Sequence, residues 1–143
     1  MRRYPLDSAL LSAYLNGRPT AVHLISPWIA ARQLATSTLC YAEVLEYVKD
    51  FPDFAVRHAQ LKQLLSQVYR YFLTYPILDR YTVIRRQLRS TPGGSSLIAD
   101  IDTLIAATGL QRNLTVVTSD SDFKRVPNLM VHFVPRDQLR AQS

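Results

Sequence analysis

Four carboxylates stand where chemistry is possible: Asp7, Glu43, Asp102 and Asp120. Asp7 closes the short apolar stretch Tyr4-Pro5-Leu6, and Asp120 follows Val116-Val117-Thr118-Ser119. Glu43 lies one turn into the helix expected after a second short strand, and Asp102, with Asp100, opens the helix that precedes the strand ending at Thr118. Ligands of open α/β sheets bind beyond the carboxyl ends of the strands, so Asp7 and Asp120 can share one pocket that Glu43 and Asp102 enter from flanking helices. Carboxylates gathered in this way repel and need a cation or a proton to coexist at neutral pH. Oxygen donors without Cys or His select Mg²⁺ or Mn²⁺ over zinc. An acidic, Mg²⁺-holding pocket within a basic surface is what phosphodiester hydrolysis requires.

A plainer role competes at several of these positions. Asp7, Asp79 and Asp100 all sit where a helix N-cap belongs, and a cap alone accounts for an aspartate there. Helical geometry separates Asp100 from Asp102, because residues two apart project to roughly opposite sides. Asp102 shares its face with Ile105, Ala106 and Gly109, where an unpaired carboxylate is costly unless it binds something. Asp102 is therefore the functional candidate and Asp100 the cap.

The remaining chemistry is thin. The chain's 4 glycines form neither G-x-G-x-x-G nor G-x-x-x-x-G-K-[ST], which excludes the standard dinucleotide and P-loop cradles. His23, His58 and His132 lie far apart and make no H-E-x-x-H. There is no G-x-S-x-G, and Cys40 has no evident histidine partner. A single cysteine also rules out an internal disulfide framework and fits a reducing compartment.

Charge points to a partner. Lys and Arg number 17 against 11 Asp and Glu, and the net charge is +6. Most of these bases are arginine, whose planar fork suits phosphate. Arg80, Arg85, Arg86 and Arg89 cluster just before the helix bearing Asp102, and Lys124 and Arg125 follow Asp120. Arg85, Arg86, Lys124 and Arg125 are the candidates to flank the pocket and track a nucleic-acid backbone. No apolar run approaches the roughly 18 residues of a membrane span, and Asp7 arrives before a signal-peptide apolar region can develop. The expectation is a soluble, cytoplasmic protein folding as one domain over residues 1–143.

Periodicity sets out the elements that must position these residues. Strands are expected at Tyr4–Leu6, 35–38, 75–78, 114–118 and 130–134. Helices are expected over 9–15, 23–33, 39–51, 53–72, 80–89 and 98–110, with Asp53 and Asp79 as caps. Pro5 makes the first strand a poor one, suited to a strand start or a sheet edge. Residues 90–96, rich in Gly and Ser, read as a mobile loop. Strands separated by helices indicate an α/β domain with a mainly parallel sheet. Trp28, Tyr41, Tyr47, Phe51, Phe54, Tyr69, Tyr71 and Phe72 exceed what one small core needs, so some are expected in a dimer contact or partner groove.

Several blocks resemble a known family. Leu6-Asp7-Ser8-Ala9-Leu10-Leu11, Ala42-Glu43-Val44, the D-x-D-x-L-I-A-A-T segment from Asp100 to Thr108, and the V-T-x-D-x-D-F segment from Val117 to Phe123 are similar to PIN-domain ribonucleases. In order and spacing they most resemble the VapC-type toxins of type II toxin–antitoxin pairs, from about Tyr4 to Phe133. The resemblance implies a three-layer α/β/α sandwich around a small parallel sheet and a homodimer inhibited by a cognate antitoxin. It also implies a Mg²⁺-dependent endoribonuclease, with Mn²⁺ able to substitute, whose acidic quartet falls on Asp7, Glu43, Asp102 and Asp120. Asp7, Asp102 and Asp120 would hold metal, with Glu43 orienting the ligands or the attacking water.

Two positions depart from the family pattern. Its D-T-N reads Asp7-Ser8-Ala9 here, and the arginine usual before the fourth acid is Ser119. Ser8 keeps a hydroxyl for substrate, while Ala9 lacks an amide that could hold Asp7 or a water. The alternative these departures support is a catalytically weak or inactive PIN-like module that binds RNA or an antitoxin. A phosphoacceptor receiver domain would want an acidic pair at the end of the first strand and a late lysine near the pocket, and neither is evident.

Overall fold

A computed structural model describes residues 2–90 and 97–140 of the chain. The Gly/Ser segment 91–96 lies outside the described residues. Five strands form one sheet: β1 (Tyr4–Leu6), β2 (Leu34–Ser37), β3 (Tyr69–Tyr71), β4 (Thr115–Thr118) and β5 (Met130–Phe133). Their order across the sheet is β3-β2-β1-β4-β5, and every pairing is parallel. Helices α1 (Ser8–Leu15) and α2 (Pro19–Ala30) connect β1 to β2, and α3 (Thr38–Val48) and α4 (Phe54–Leu65) connect β2 to β3. Helices α5 (Tyr75–Arg89) and α6 (Asp100–Arg112) carry the chain back past β1 to β4. A 3₁₀ turn at Ser121–Arg125 leads to β5, and the short α7 (Arg136–Arg140) follows.

Right-handed crossovers that run in opposite directions put their helices on opposite faces of a sheet. The connections from β1 to β3 run one way and the α5–α6 connection runs the other, which yields an α/β/α sandwich with a parallel sheet at its centre. Leu6, Leu10, Ile25, Ile84, Val116, Val117 and Phe123 are all buried in the main core. Gly109 decides how closely α6 approaches the sheet. A Cβ there would meet Val116 Cγ2 at 2.8 Å and Leu129 Cδ1 at 3.0 Å, so only glycine fits without displacing its neighbours.

The order of the strands makes a switch point. The chain leaves β1 toward β2 on one side, while β4 arrives on the other, so the carboxyl ends of β1 and β4 border a crevice. Asp7 directly follows β1, its N–H donating to the Val117 carbonyl at 3.0 Å. The β-branched Thr115-Val116-Val117-Thr118 suits a strand whose last three residues are buried.

Several expectations differ from the structure. β1 is central, although it contains Pro5. Tyr4 N–H donates to the Gln33 carbonyl toward β2, so Pro5, the next residue, turns its missing donor toward β4. Pairing on that side consists of one register pair, Leu6 with Val117, and the ladder loses little. The helix expected to reach Phe72 ends at Leu65, and Tyr69–Tyr71 instead pairs with Ala35–Ser37 as an edge strand. The aromatic residues of that run suit a pleated surface better than a helix interior. The strand expected at 75–78 is the first turn of α5. Thr74 caps it, accepting from Ile77 N–H at 3.4 Å, and Pro76 lies where a helix tolerates proline. Asp79 is consequently an exposed residue inside a helix and caps nothing. Asp53 precedes α4 without a capping bond, its carboxylate taken by Arg57 at 2.8 Å.

Candidate active site

The carboxyl ends of β1 and β4 bring Asp7 and Asp120 to the same crevice. Asp7 is 5% exposed and both of its oxygens are engaged. Oδ1 accepts from Leu10 N–H at 3.0 Å, as an N-cap should, and Oδ2 accepts from the Thr118 hydroxyl. The cap and the functional roles therefore coincide in one residue. Burial pushes the Asp7 carboxyl above its ordinary range, the bonds from Thr118 and Leu10 hold it partly down, and the charge of Asp120 pushes it further up.

Thr118 is the joint between the two strand ends. While its hydroxyl donates to Asp7, its oxygen accepts the Asp120 N–H at 2.9 Å. Asp120 then caps the 3₁₀ turn, accepting from Asp122 N–H at 2.9 Å. The role of Thr118 escaped the sequence reading. A threonine two residues before an aspartate at a strand end is the one local signal for it, since such hydroxyls bond to neighbouring backbone.

Asp102 enters from the first turn of α6 and Glu43 from the second turn of α3, both half-buried. The Glu43 carboxylate accepts from the Ser8 hydroxyl at the start of α1. Asp102 reports on the whole cluster, its carboxyl pushed up to about 6 by burial first and then by the charges of Asp120, Glu43, Asp7 and Asp122. The charges of four other acids thus reach Asp102, and one of them, Asp122, is an acid that spacing alone did not assign.

Among the described residues, no three acidic, histidine or cysteine side chains stand together as a ready ligand set. The donor chemistry of Asp7, Glu43, Asp102 and Asp120, all carboxylates, with the Ser8 hydroxyl beside Glu43, nonetheless suits a hard divalent cation, since the repulsion among the acids asks for positive charge. Mg²⁺ commonly keeps several waters and takes only one or two carboxylates, so it does not require a closed protein shell.

Other candidates separate from this cluster. Asp100, expected as a cap, is the first residue of α6, with Ala99 in the cap position. Its carboxylate is bound by the Tyr81 hydroxyl at 2.9 Å and by Arg85, tying α6 to α5. Arg85 is thereby engaged with a structural partner, whereas Arg86 on the last turn of α5 is exposed. Lys124 and Arg125 lie on the turn that Asp120 caps. Lys124 Nζ sits 3.7 Å over the Phe133 ring, and Arg125 pairs with Asp122 at 3.3 Å. Cys40 is buried beneath the site, its thiol against the Leu6 carbonyl and pushed up to about 12, chiefly by burial. A thiol in that state is no nucleophile.

Comparison with known proteins agrees with this architecture. No curated protein matches the chain. Among solved structures, VapBC2 from Rickettsia felis, bound to a DNA fragment from its promoter, is similar at 23% identity over 91% of this chain and 97% of that one, with a TM-score of 0.79. FitAcB from Neisseria gonorrhoeae is similar at 26% identity over 93% of this chain and 98% of that one, with a TM-score of 0.71. VapBC-5 from Mycobacterium tuberculosis, a member of the VapBC family of toxin–antitoxin systems, is similar at 18% identity over 94% and 99%, with a TM-score of 0.65. The family model of the PIN domain matches residues 4–129. From its first strand to the segment before its last, this chain belongs to the PIN domain family.

Proposed function

We propose that this protein is a Mg²⁺-dependent endoribonuclease, with Mn²⁺ able to substitute, and the toxin of a type II toxin–antitoxin pair. The observation that carries the reading is that Asp7 and Asp120 end neighbouring strands at the switch point of a parallel sheet and are joined there through the Thr118 hydroxyl. The similar structures VapBC2 and VapBC-5 bear toxin–antitoxin names, and this supports a cognate antitoxin protein as partner. The cytoplasm is the proposed location. Among the described residues no helix is long and apolar enough to cross a membrane.

Asp7, Asp102 and Asp120 are the residues that would hold the cation. When bound, it supplies a lowered pKa for water and offsets the charge that builds on the phosphorane. The chain's own groups do the rest. Thr118 sets the Asp7 carboxylate and the Asp120 backbone against each other. Ser8 holds the Glu43 carboxylate, fixing it as an acceptor that can orient the attacking water. Arg86 and Lys124, with Arg85 and Arg125 when released from Asp100 and Asp122, would meet backbone phosphates, contacts that add affinity without reading sequence.

A homodimer belongs to the same proposal. Tyr47, Phe72 and Tyr75 are exposed, as is Leu73, and aromatic side chains are enriched in interface cores. Of the aromatic residues expected to exceed the core, Tyr71 is buried, while Tyr47, Tyr69 and Phe72 are exposed.

The test is RNA cleavage by the purified protein with Mg²⁺ or Mn²⁺, set against EDTA and Asp102→Asn. Cleavage that is lost in both controls supports the reading, and cleavage that survives both overturns the metal chemistry. RNA bound but left intact under every condition would favour the binding module suggested by Ala9.

A further inference from the structure

Beside the acidic site lies a cavity of opposite character. It has a volume of about 380 Å³ and is walled by α1, the start of α2, the residue after β4, and α7. Arg18, Arg136 and Arg140 contribute to its lining, and no carboxylate does. None of the three arginines has an ion-pair partner among the described residues. Asp137, the acid nearest them in sequence, turns its carboxylate to the Gln138 N–H. Three guanidinium groups around one hollow, with no carboxylate among the described residues that line it, are arranged for an anion.

A second observation points the same way. Ser119 lines the cavity and is 4% exposed, yet its hydroxyl has no hydrogen-bond partner among the described residues. A buried hydroxyl left unsatisfied costs roughly 1–3 kcal/mol, and a ligand oxygen in the cavity would satisfy it. Ala9 also lines this hollow. The two positions that depart from the family motifs are therefore neighbours in space, and their small side chains leave the hollow open.

The position of the cavity beside the acids favours a phosphate over other anions. Ser119 lies between Thr118 and Asp120, and Ala9 is two residues beyond Asp7, so the hollow adjoins the acidic pocket through the same two strand ends. A strand whose scissile phosphate sits at the carboxylates would bring a neighbouring phosphate here. The volume is at the lower end for small-ligand sites and exceeds what a lone ion needs.

We propose that the cavity of Arg18, Arg136, Arg140 and Ser119 is a subsite for a backbone phosphate of the RNA strand, adjacent to the phosphate that is cut. This rests on the ribonuclease reading above. It separates strand holding, done by α7 and Arg18, from chemistry, done by the acids.

The experiment measures binding of a single-stranded RNA oligonucleotide in EDTA across a salt series, alongside cleavage in Mg²⁺. The proteins compared are the full chain, Arg136→Ala with Arg140→Ala, Arg136→Lys with Arg140→Lys, and Arg112→Ala as a basic control at the opposite end of α6. The double alanine variant is expected to bind about 10-fold more weakly. Its log–log salt slope should be shallower by about 0.7, the value of one single-strand phosphate. The double lysine variant should keep most of the slope, Arg112→Ala should keep all of it, and melting temperatures should agree throughout. Cleavage by the parent chain together with unchanged affinity and slope in the alanine variant overturns the subsite and leaves the ribonuclease reading standing. A parent chain that neither binds nor cuts RNA overturns both. If the alanine variant loses its affinity for the protein encoded next to it but not for RNA, the cavity takes an acidic peptide and the phosphate assignment falls.

Discussion

The Thr118 hydroxyl donates to Asp7, so a side chain at the end of β4 bonds the carboxylate at the end of β1. The two residues are 111 positions apart in the chain and meet only because β1 and β4 are neighbours in the sheet. The same oxygen receives the Asp120 N–H, so one hydroxyl sets the spacing of two acids.

Thr118→Val keeps the shape and removes that hydroxyl. It leaves Asp7 buried with one fewer donor and frees Asp120. Cleavage of RNA should fall by about 10- to 100-fold, an effect of the size seen when groups that orient metal ligands are removed. Thr118→Ser should recover most of the loss. Equal activity of Thr118→Val and the parent would show that the bond positions nothing.

Asp102 gives the metal-free protein a pH dependence of definite sign. Its carboxyl is raised from 3.8 to about 6 in the folded chain, so between these values the folded state holds the proton more tightly than the unfolded state. Stability therefore falls as pH rises from about 4 to 6, and the full cost is present above that window. In EDTA at neutral pH, Asp102→Asn should raise the melting temperature by a few degrees, a gain moderated because the side chain is only partly buried. The gain should vanish below pH 4. Millimolar Mg²⁺ should stabilise the parent more than the variant, and thermal melts at several pH values check both.

Cys40 should be inert in the native state. With the thiol pushed up to about 12 and buried, iodoacetamide at pH 8 should leave the folded protein unlabelled and modify it fully in denaturant. Mass spectrometry reads the result directly. Rapid native labelling would mean that the packing around Leu6 opens.

Gly109→Ala tests the contact between α6 and β4. The added methyl group meets Val116 Cγ2, a short branched side chain with little room to yield. Overpacking of this kind costs about 1–3 kcal/mol, more than the gain in helix propensity returns. Urea denaturation should show a lower midpoint, and a midpoint at or above the parent's would place slack between the helix and the sheet.

Much of this protein is legible in its sequence because the relevant signals are local. The β-branched run at 115–118, the Asn-Gly-Arg-Pro stop after α1 and the small-residue stripe of α6 follow from propensity and periodicity over a few residues. The motif blocks carry the acids in order, and the faces of α6 distinguish Asp102 from Asp100. Where pairing across the sheet decides the outcome, local signals mislead. Val68 and Phe72 keep helical spacing with Leu61 and Leu65, but β2 offers Tyr69–Tyr71 an edge to pair with. Pro5 argues against a central strand until the sheet order shows how little pairing it forfeits. The convergence of Asp7, Glu43, Asp102 and Asp120, the bond from Thr118 to Asp7, and the basic cavity beside them exist only in the folded chain. Charge–charge coupling and hydrogen bonding depend on distance in space, and that distance was set by the order of five strands rather than by any spacing along the sequence.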